Sequence, residues 1–116
     1  MKNKNKRMMR IDDEIKKCLA KILELKKDDL KIEKEFIVSV TKVEATKDLQ
    51  WCKVYISVLC EEKRRDALIN ILNDSEKLIR KLVAQKLNLR LTPKFIFVLD
   101  DRIEYAMKID NLLKKL

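Results

Sequence analysis

The residues best placed to do chemistry in this chain are bases, and they are gathered into two short segments. Residues 1–10 hold five bases and no acid, Lys4, Lys6, Arg7 and Arg10 among them. Residues 75–94 hold Lys77, Arg80, Lys81, Lys86, Arg90 and Lys94 against Glu76 alone. Each segment carries +5, residues 11–74 carry −1 and residues 95–116 are balanced, so the two segments account for the net charge of +9. Segregated positive charge is the electrostatic footprint of a polyanionic partner. A solvated lysine face is the competing reading in so lysine-rich a sequence. Lipid headgroups are the other polyanion, but the basic segments lack the Trp and Phe that anchor interfacial helices.

The missing residue types narrow the field further. With no histidine, the chain lacks the commonest general base and metal ligand. With no glycine, it lacks phosphate-cradling loops, dinucleotide fingerprints and nucleophile elbows, which need close backbone approach or strained dihedrals. These absences argue against an enzyme and leave no cofactor or metal to assign. Cys18, Cys52 and Cys60 form no CxxC pair, and Cys52 and Cys60 lie too far apart along one strand for a disulfide. They read as small buried hydrophobes in a reducing compartment. No apolar run approaches the roughly 18 residues needed to cross a bilayer. The basic start is followed by no apolar h-region, so a soluble cytoplasmic protein is expected.

The elements that must position these bases follow from periodicity. Ile11, Ile15, Cys18, Leu19 and Ile22 recur at helical steps. Asp12, Asp13 and Glu14 are placed for the first turn and Lys26 and Lys27 for the last. A polar connection, 28–35, leads to a β-branched strand over 36–43 whose alternation slips between Val40 and Val43, predicting a bulge. After a turn over 46–50, residues 51–60 alternate cleanly, with Cys52, Val54, Ile56, Val58 and Cys60 on one face. Ala67, Leu68, Ile71 and Leu72 begin a second helical pattern, and Leu78, Ile79, Leu82, Val83 and Leu87 a third. Asn73-Asp74-Ser75 between them predicts a break with Ser75 as N-cap. Pro93 introduces a strand over 94–99, and Asp100-Asp101 should cap a last helix. One sheet with helices on one face packs this order economically, in two α+β layers with the second and third strands parallel. Residues 1–10 are expected to form a flexible basic arm and 11–116 a single domain.

That order is the order of a type II KH domain, and particular residues sharpen the likeness. The stretch from Val40 through Val43, Asp48-Leu49, Val54-Tyr55-Ile56 and Ser57 resembles the V-x-x-V-x-x-S-x-D-L-x-x-A-x-V-Y-V-S signature of ribosome-binding factor A proteins. Leu78-Ile79-Arg80, Leu89-Arg90-Leu91-Thr92-Pro93 and Phe97-Val98-Leu99-Asp100 are similar to that family's I-R, L-R-x-x-P and F-x-x-D blocks, in order and spacing. The resemblance covers about residues 8–113. It implies a KH-like fold without a GxxG loop, with an Ala-x-Gly kink that falls here on Ser75-Glu76-Lys77. It implies association with free or immature small (30S) ribosomal subunits and help in late 16S rRNA maturation, including the 5′ end, with a link to cold adaptation.

The expected RNA surface is Ser75, with its helix N-terminus, then Lys77, Arg80, Lys81 and Lys86, with Arg90 and Lys94 beyond the helix and Lys4, Lys6, Arg7 and Arg10 on the arm. Arg80 has a rival structural role, paired with Asp48 or Asp100. Trp51 and Tyr55 are read as packing against a helix, with base stacking as the alternative. Lys42, Lys47 and Lys53 on the hairpin are the next place to look for an RNA surface. The partner is the small subunit, with no membrane and no small-molecule substrate, and the chain is expected to be a monomer. A binder of mature subunits and a basic membrane or protein adaptor are the rival functions.

Overall fold

In the computed structural model, which describes residues 6–115 apart from the side chains of 103–108, three strands form one sheet in the order β1-β2-β3. Strand β1 (Ile37–Ala45) pairs antiparallel with β2 (Trp51–Leu59), and β3 (Lys94–Leu99) runs parallel to β2. Helices α1 (Lys6–Leu25), α2 (Glu62–Asp74) and α3 (Glu76–Lys86) complete the core, and α4 (Arg102–Lys114) follows β3. The period-2 alternation of β2 decides the layering. Cys52, Val54, Ile56 and Val58 are buried beneath the helices, while Trp51 and Lys53 stand on the opposite, open face.

The helices supply the other half of the core. Ile15, Leu19 and Leu23 of α1, Leu68 and Leu72 of α2, and Ile79 and Val83 of α3 are almost fully excluded from solvent. They meet Phe95 and Phe97 of β3. Each such side chain contributes about 1.5–3 kcal/mol when fully buried. Helix α1 lies on β1, α2 on β3, and α3 against both α1 and β3. The fold is the expected two-layer α+β arrangement, with β2 and β3 parallel.

The bulge falls where the alternation slips. Val40 pairs with Ile56 and Lys42 with Tyr55, which leaves Thr41 as the extra residue. Its hydroxyl donates to Asp100 Oδ2 at 2.5 Å. Two turns without glycine use bulkier residues at positive φ, Lys31 at 59° and Leu49 at 58°. In the hairpin turn the geometry is held by Asp48. Its Oδ1 accepts from Thr46 Oγ1 at 2.7 Å and from Gln50 N at 3.1 Å, bonds that lower the pKa of its carboxyl.

Ser75 separates α2 from α3 with φ −93° and ψ 10°, in the bridge region. The break stands where expected, but its cause differs. The Ser75 hydroxyl makes no capping bond. Instead the two residues flanking the break reach the outer edge of β3. Asn73 donates Nδ2–H to Phe97 O at 3.0 Å and accepts Phe97 N–H on Oδ1 at 2.8 Å. Glu76 Oε2 accepts Phe95 N–H at 2.9 Å. An edge strand leaves such groups unpaired, and here side chains from both helices complete the ladder.

Four further expectations need correction. Helix α1 begins at Lys6 rather than Ile11, so the acidic run Asp12–Glu14 sits beyond its first turn and residues 6–10 are helical. The connection after α1 is not simply polar, because Leu30 and Ile32 are buried in it. Cys18 and Cys52 are buried, whereas Cys60, just past β2, is half-buried. Asp101 gives no side-chain cap to α4; it is Asp100 Oδ1 that accepts Arg102 N–H at 3.1 Å.

Candidate nucleic-acid interface

Ile79 and Val83 fix the rotation of α3 by turning inward, and this aims Lys77 and Lys81 outward one turn apart. Both lysines are exposed, and neither has a carboxylate within ion-pair distance among the described residues. Two unneutralised ammonium groups on one rigid helical face are suited to successive phosphates. Ser75 is half-buried at the head of this helix, where its carbonyl accepts Ile79 N–H at 3.0 Å.

Arg80 is differently employed. Its Nη2 lies 3.5 Å from Glu76 Oε1, and the same carboxylate holds the Phe95 amide. The structural role foreseen for Arg80 is thus present, but its partner is Glu76 rather than Asp48 or Asp100. Asp100 is 4% exposed and is held instead by Arg102, with Nε at 2.9 Å and Nη2 at 2.7 Å, and by Thr41. Hydrogen bonds from Arg102 and then Thr41 hold its carboxyl far below the usual carboxylate range.

Lys86, at the end of α3, is exposed beside a groove of about 530 Å³ between α1 and α3. Lys17 and Lys21 of α1 line the same groove, with Glu14 and with Lys26 just beyond the helix, over a floor that includes Cys18, Ile22 and Leu87. Burial pushes the Cys18 thiol up, and the charges of Lys86 and Lys21 oppose that shift. These α1 lysines widen the basic surface, and the sequence reading missed them. The signal was present: Lys17 and Lys21 are four apart, off the buried stripe of Ile15, Leu19 and Ile22.

The remaining expected residues are scattered. Lys6, Arg7 and Arg10 are exposed on the first turns of α1, and Arg90 is exposed in the loop before β3. Lys4 lies outside the described residues. Lys94, grouped with α3 by sequence, is on the open face of the sheet, its Nζ 5.5 Å from the centre of the Trp51 ring. Trp51 is 45% exposed there, so it does not pack beneath a helix. Among the described residues there is no cluster of three His, Cys, Asp or Glu side chains able to hold a metal. No described helix is long and apolar enough to cross a membrane.

A three-stranded sheet with its helices on one face, a break between α2 and α3, and a basic helix beyond that break define a KH-like protein. The family model for ribosome-binding factor A matches residues 7–113, and the chain belongs to that family. Curated relatives agree. Ribosome-binding factor A of Clostridium tetani is 39% identical over 107 residues, covering 92% of this chain and 87% of the relative. That of Caldanaerobacter subterraneus is 35% identical over 118 residues, covering 100% and 93%. Among solved structures, a putative ribosome binding factor A from Thermotoga maritima superposes with a TM-score of 0.66 at 27% identity, covering 84% of this chain and 91% of that one. A Thermus thermophilus ribosome binding factor A, a homology model fitted into the cryo-EM map of a 30S complex, superposes with a TM-score of 0.61. At 20% identity it covers 77% of this chain and 90% of that one, and supports the fold.

Proposed function

We propose that this protein is a non-enzymatic assembly factor that binds the free or immature small ribosomal subunit through its 16S RNA. It assists late maturation of that RNA, including the 5′ end, and matters most in the cold. It acts as a monomer in the cytoplasm, needs no cofactor and engages no membrane. The observation that carries the reading is the exposed, unneutralised Lys77–Lys81 pair on α3, in a chain of this family. Lys86, with Lys17 and Lys21 across the α1–α3 groove, adds a second group of bases. Ser75, Arg80, Arg90, Lys94, Lys4, Lys6, Arg7 and Arg10 complete the proposed contact set, with Arg80 contributing least because Glu76 already engages it. Contacts of this kind give affinity with little reading of sequence, so discrimination comes from the shape of folded RNA.

Fractionated cell extract tests the reading. The protein should sediment with free and immature small subunits and be absent from translating ribosomes, and cells depleted of it should accumulate precursor small-subunit RNA, more so at low temperature. Equal occupancy of translating ribosomes would instead mark a factor acting on mature subunits and would refute the assembly role.

A further inference from the structure

The open face of the sheet is not accounted for by the α3 surface. Helices α1, α2 and α3 pack on the face that carries Val54 and Phe97, and the opposite face presents Trp51, Lys53 and Tyr55 of β2 beside Lys94 and Ile96 of β3. Trp51 and Tyr55 stand on it four residues apart along β2, about 13 Å at the usual strand rise. Lysines interleave with the rings. Lys94 Nζ lies 5.5 Å from the Trp51 centroid, and Lys53 and Lys42 lie 5.1 and 5.8 Å from that of Tyr55. Tyr55 is fixed by its hydroxyl, which donates to Glu44 Oε1 at 3.1 Å. Ile96, 44% exposed, supplies apolar surface beside them.

We infer that this face is a second RNA-binding site, one that takes unpaired nucleotides by stacking bases on Trp51 and Tyr55 while Lys42, Lys53 and Lys94 hold the adjoining phosphates. The chemistry selects the occupant. Aromatic rings alternating with cations on a flat, rigid platform match the alternation of base and phosphate along a single strand. Among the described residues, only Lys42 of the three lysines lies within ion-pair distance of a carboxylate, that of Glu44 at 3.7 Å, which also accepts from Tyr55 at 3.1 Å. The face is therefore positive and suits a polyanion rather than an acidic-and-basic protein surface. A paired RNA helix would not expose its bases to the rings, so this site and the α3 surface recognise different features of the same RNA. The inference deepens the reading of the protein as a binder of ribosomal RNA and rests on it for the identity of the strand.

Trp51 is the only tryptophan in the chain, so its emission reports on this site alone. The full-length protein is titrated with an unstructured oligouridylate of roughly eight nucleotides, within the range that such platforms accommodate. Trp51 emission should be quenched saturably. Trp51→Ala, its fold checked by circular dichroism, should bind the labelled oligonucleotide roughly tenfold more weakly or worse. Trp51→Phe should retain most of the affinity, which separates loss of stacking from loss of fold. Lys53→Glu should lower the slope of log affinity against log salt by about 0.7, as for one contact to a single strand. Lys77→Glu with Lys81→Glu should leave the quenching intact. Unchanged Trp51 emission at saturating oligonucleotide would overturn the proposal, whether or not the protein binds subunits. So would a folded Trp51→Ala variant with parental affinity, which would assign the face to a different partner. Quenching without any binding to subunits would uphold this site and refute the ribosomal role instead.

Discussion

Asn73→Ala is the most informative single change to the fold, because that one side chain completes the edge of β3. Its amide replaces a neighbouring strand at Phe97, giving one bond of 3.0 Å to the carbonyl and one of 2.8 Å from the N–H. A typical intramolecular hydrogen bond contributes about 0.5–1.5 kcal/mol net. Two would give about 2 kcal/mol, and since water can reach the exposed Asn73 the expected loss is about 1–2 kcal/mol. For a domain of this size that is a fall in Tm of about 4–8 °C. Asn73→Asp should lose at least as much, since it keeps an acceptor for the amide but sets a carboxylate against the Phe97 carbonyl. Thermal unfolding followed by circular dichroism measures all three proteins. A Tm for Asn73→Ala within about 1 °C of the parent would refute the reasoning, because water would then serve the β3 edge as well as Asn73 does.

Asp100 provides the remaining predictions. Asp100→Asn should destabilise the protein at pH 7 by about 1–2 kcal/mol in urea unfolding, since charge-assisted bonds from Arg102 and Thr41 weaken while Arg102 remains largely in solvent. The folded-state pKa of Asp100 is depressed, so its contribution is complete above the unfolded carboxylate value of about 3.9 and is lost as pH falls below it. The stability gap between parent and Asp100→Asn should accordingly narrow from pH 7 to pH 3, and a gap that stays constant would count against the ion pair.

The strands and the bulge were legible because each rests on local alternation or on a proline, and the parallel pairing because the order of elements leaves one economical crossover. Val54 and Ile56 share one face of β2, and Pro93 turns the residue before it away from helix. The break at Ser75 was legible in position but not in mechanism. Asn, Asp and Ser in succession announce an interruption, yet nothing local reveals that Asn73 and Glu76 find their partners on a strand some twenty residues later. The start of α1 was misplaced for a similar reason. The first residues of the helix carry no buried stripe, so periodicity is silent there, although the backbone continues as helix to Lys6. The basic residues of α3 were found because their excess is concentrated in sequence. The α1 lysines were hidden by the acids that neutralise that segment on average, and packing of α1 against α3 is what gathers Lys17, Lys21 and Lys86 around one groove. The same folding separates Lys94 from its sequence neighbours and gives it to the sheet.

The central claim, that the α3 face holds ribosomal RNA, is tested most directly by measuring the salt dependence of binding of Lys77→Glu with Lys81→Glu to purified small subunits. Both residues are exposed and away from Ile79 and Val83, so the double variant should unfold within about 1 kcal/mol of the parent. Its affinity should fall steeply, and the slope of log affinity against log salt should drop by about 1.4–1.8, the loss of two phosphate contacts. A folded double variant that binds small subunits with the parental affinity and the parental slope would contradict the account.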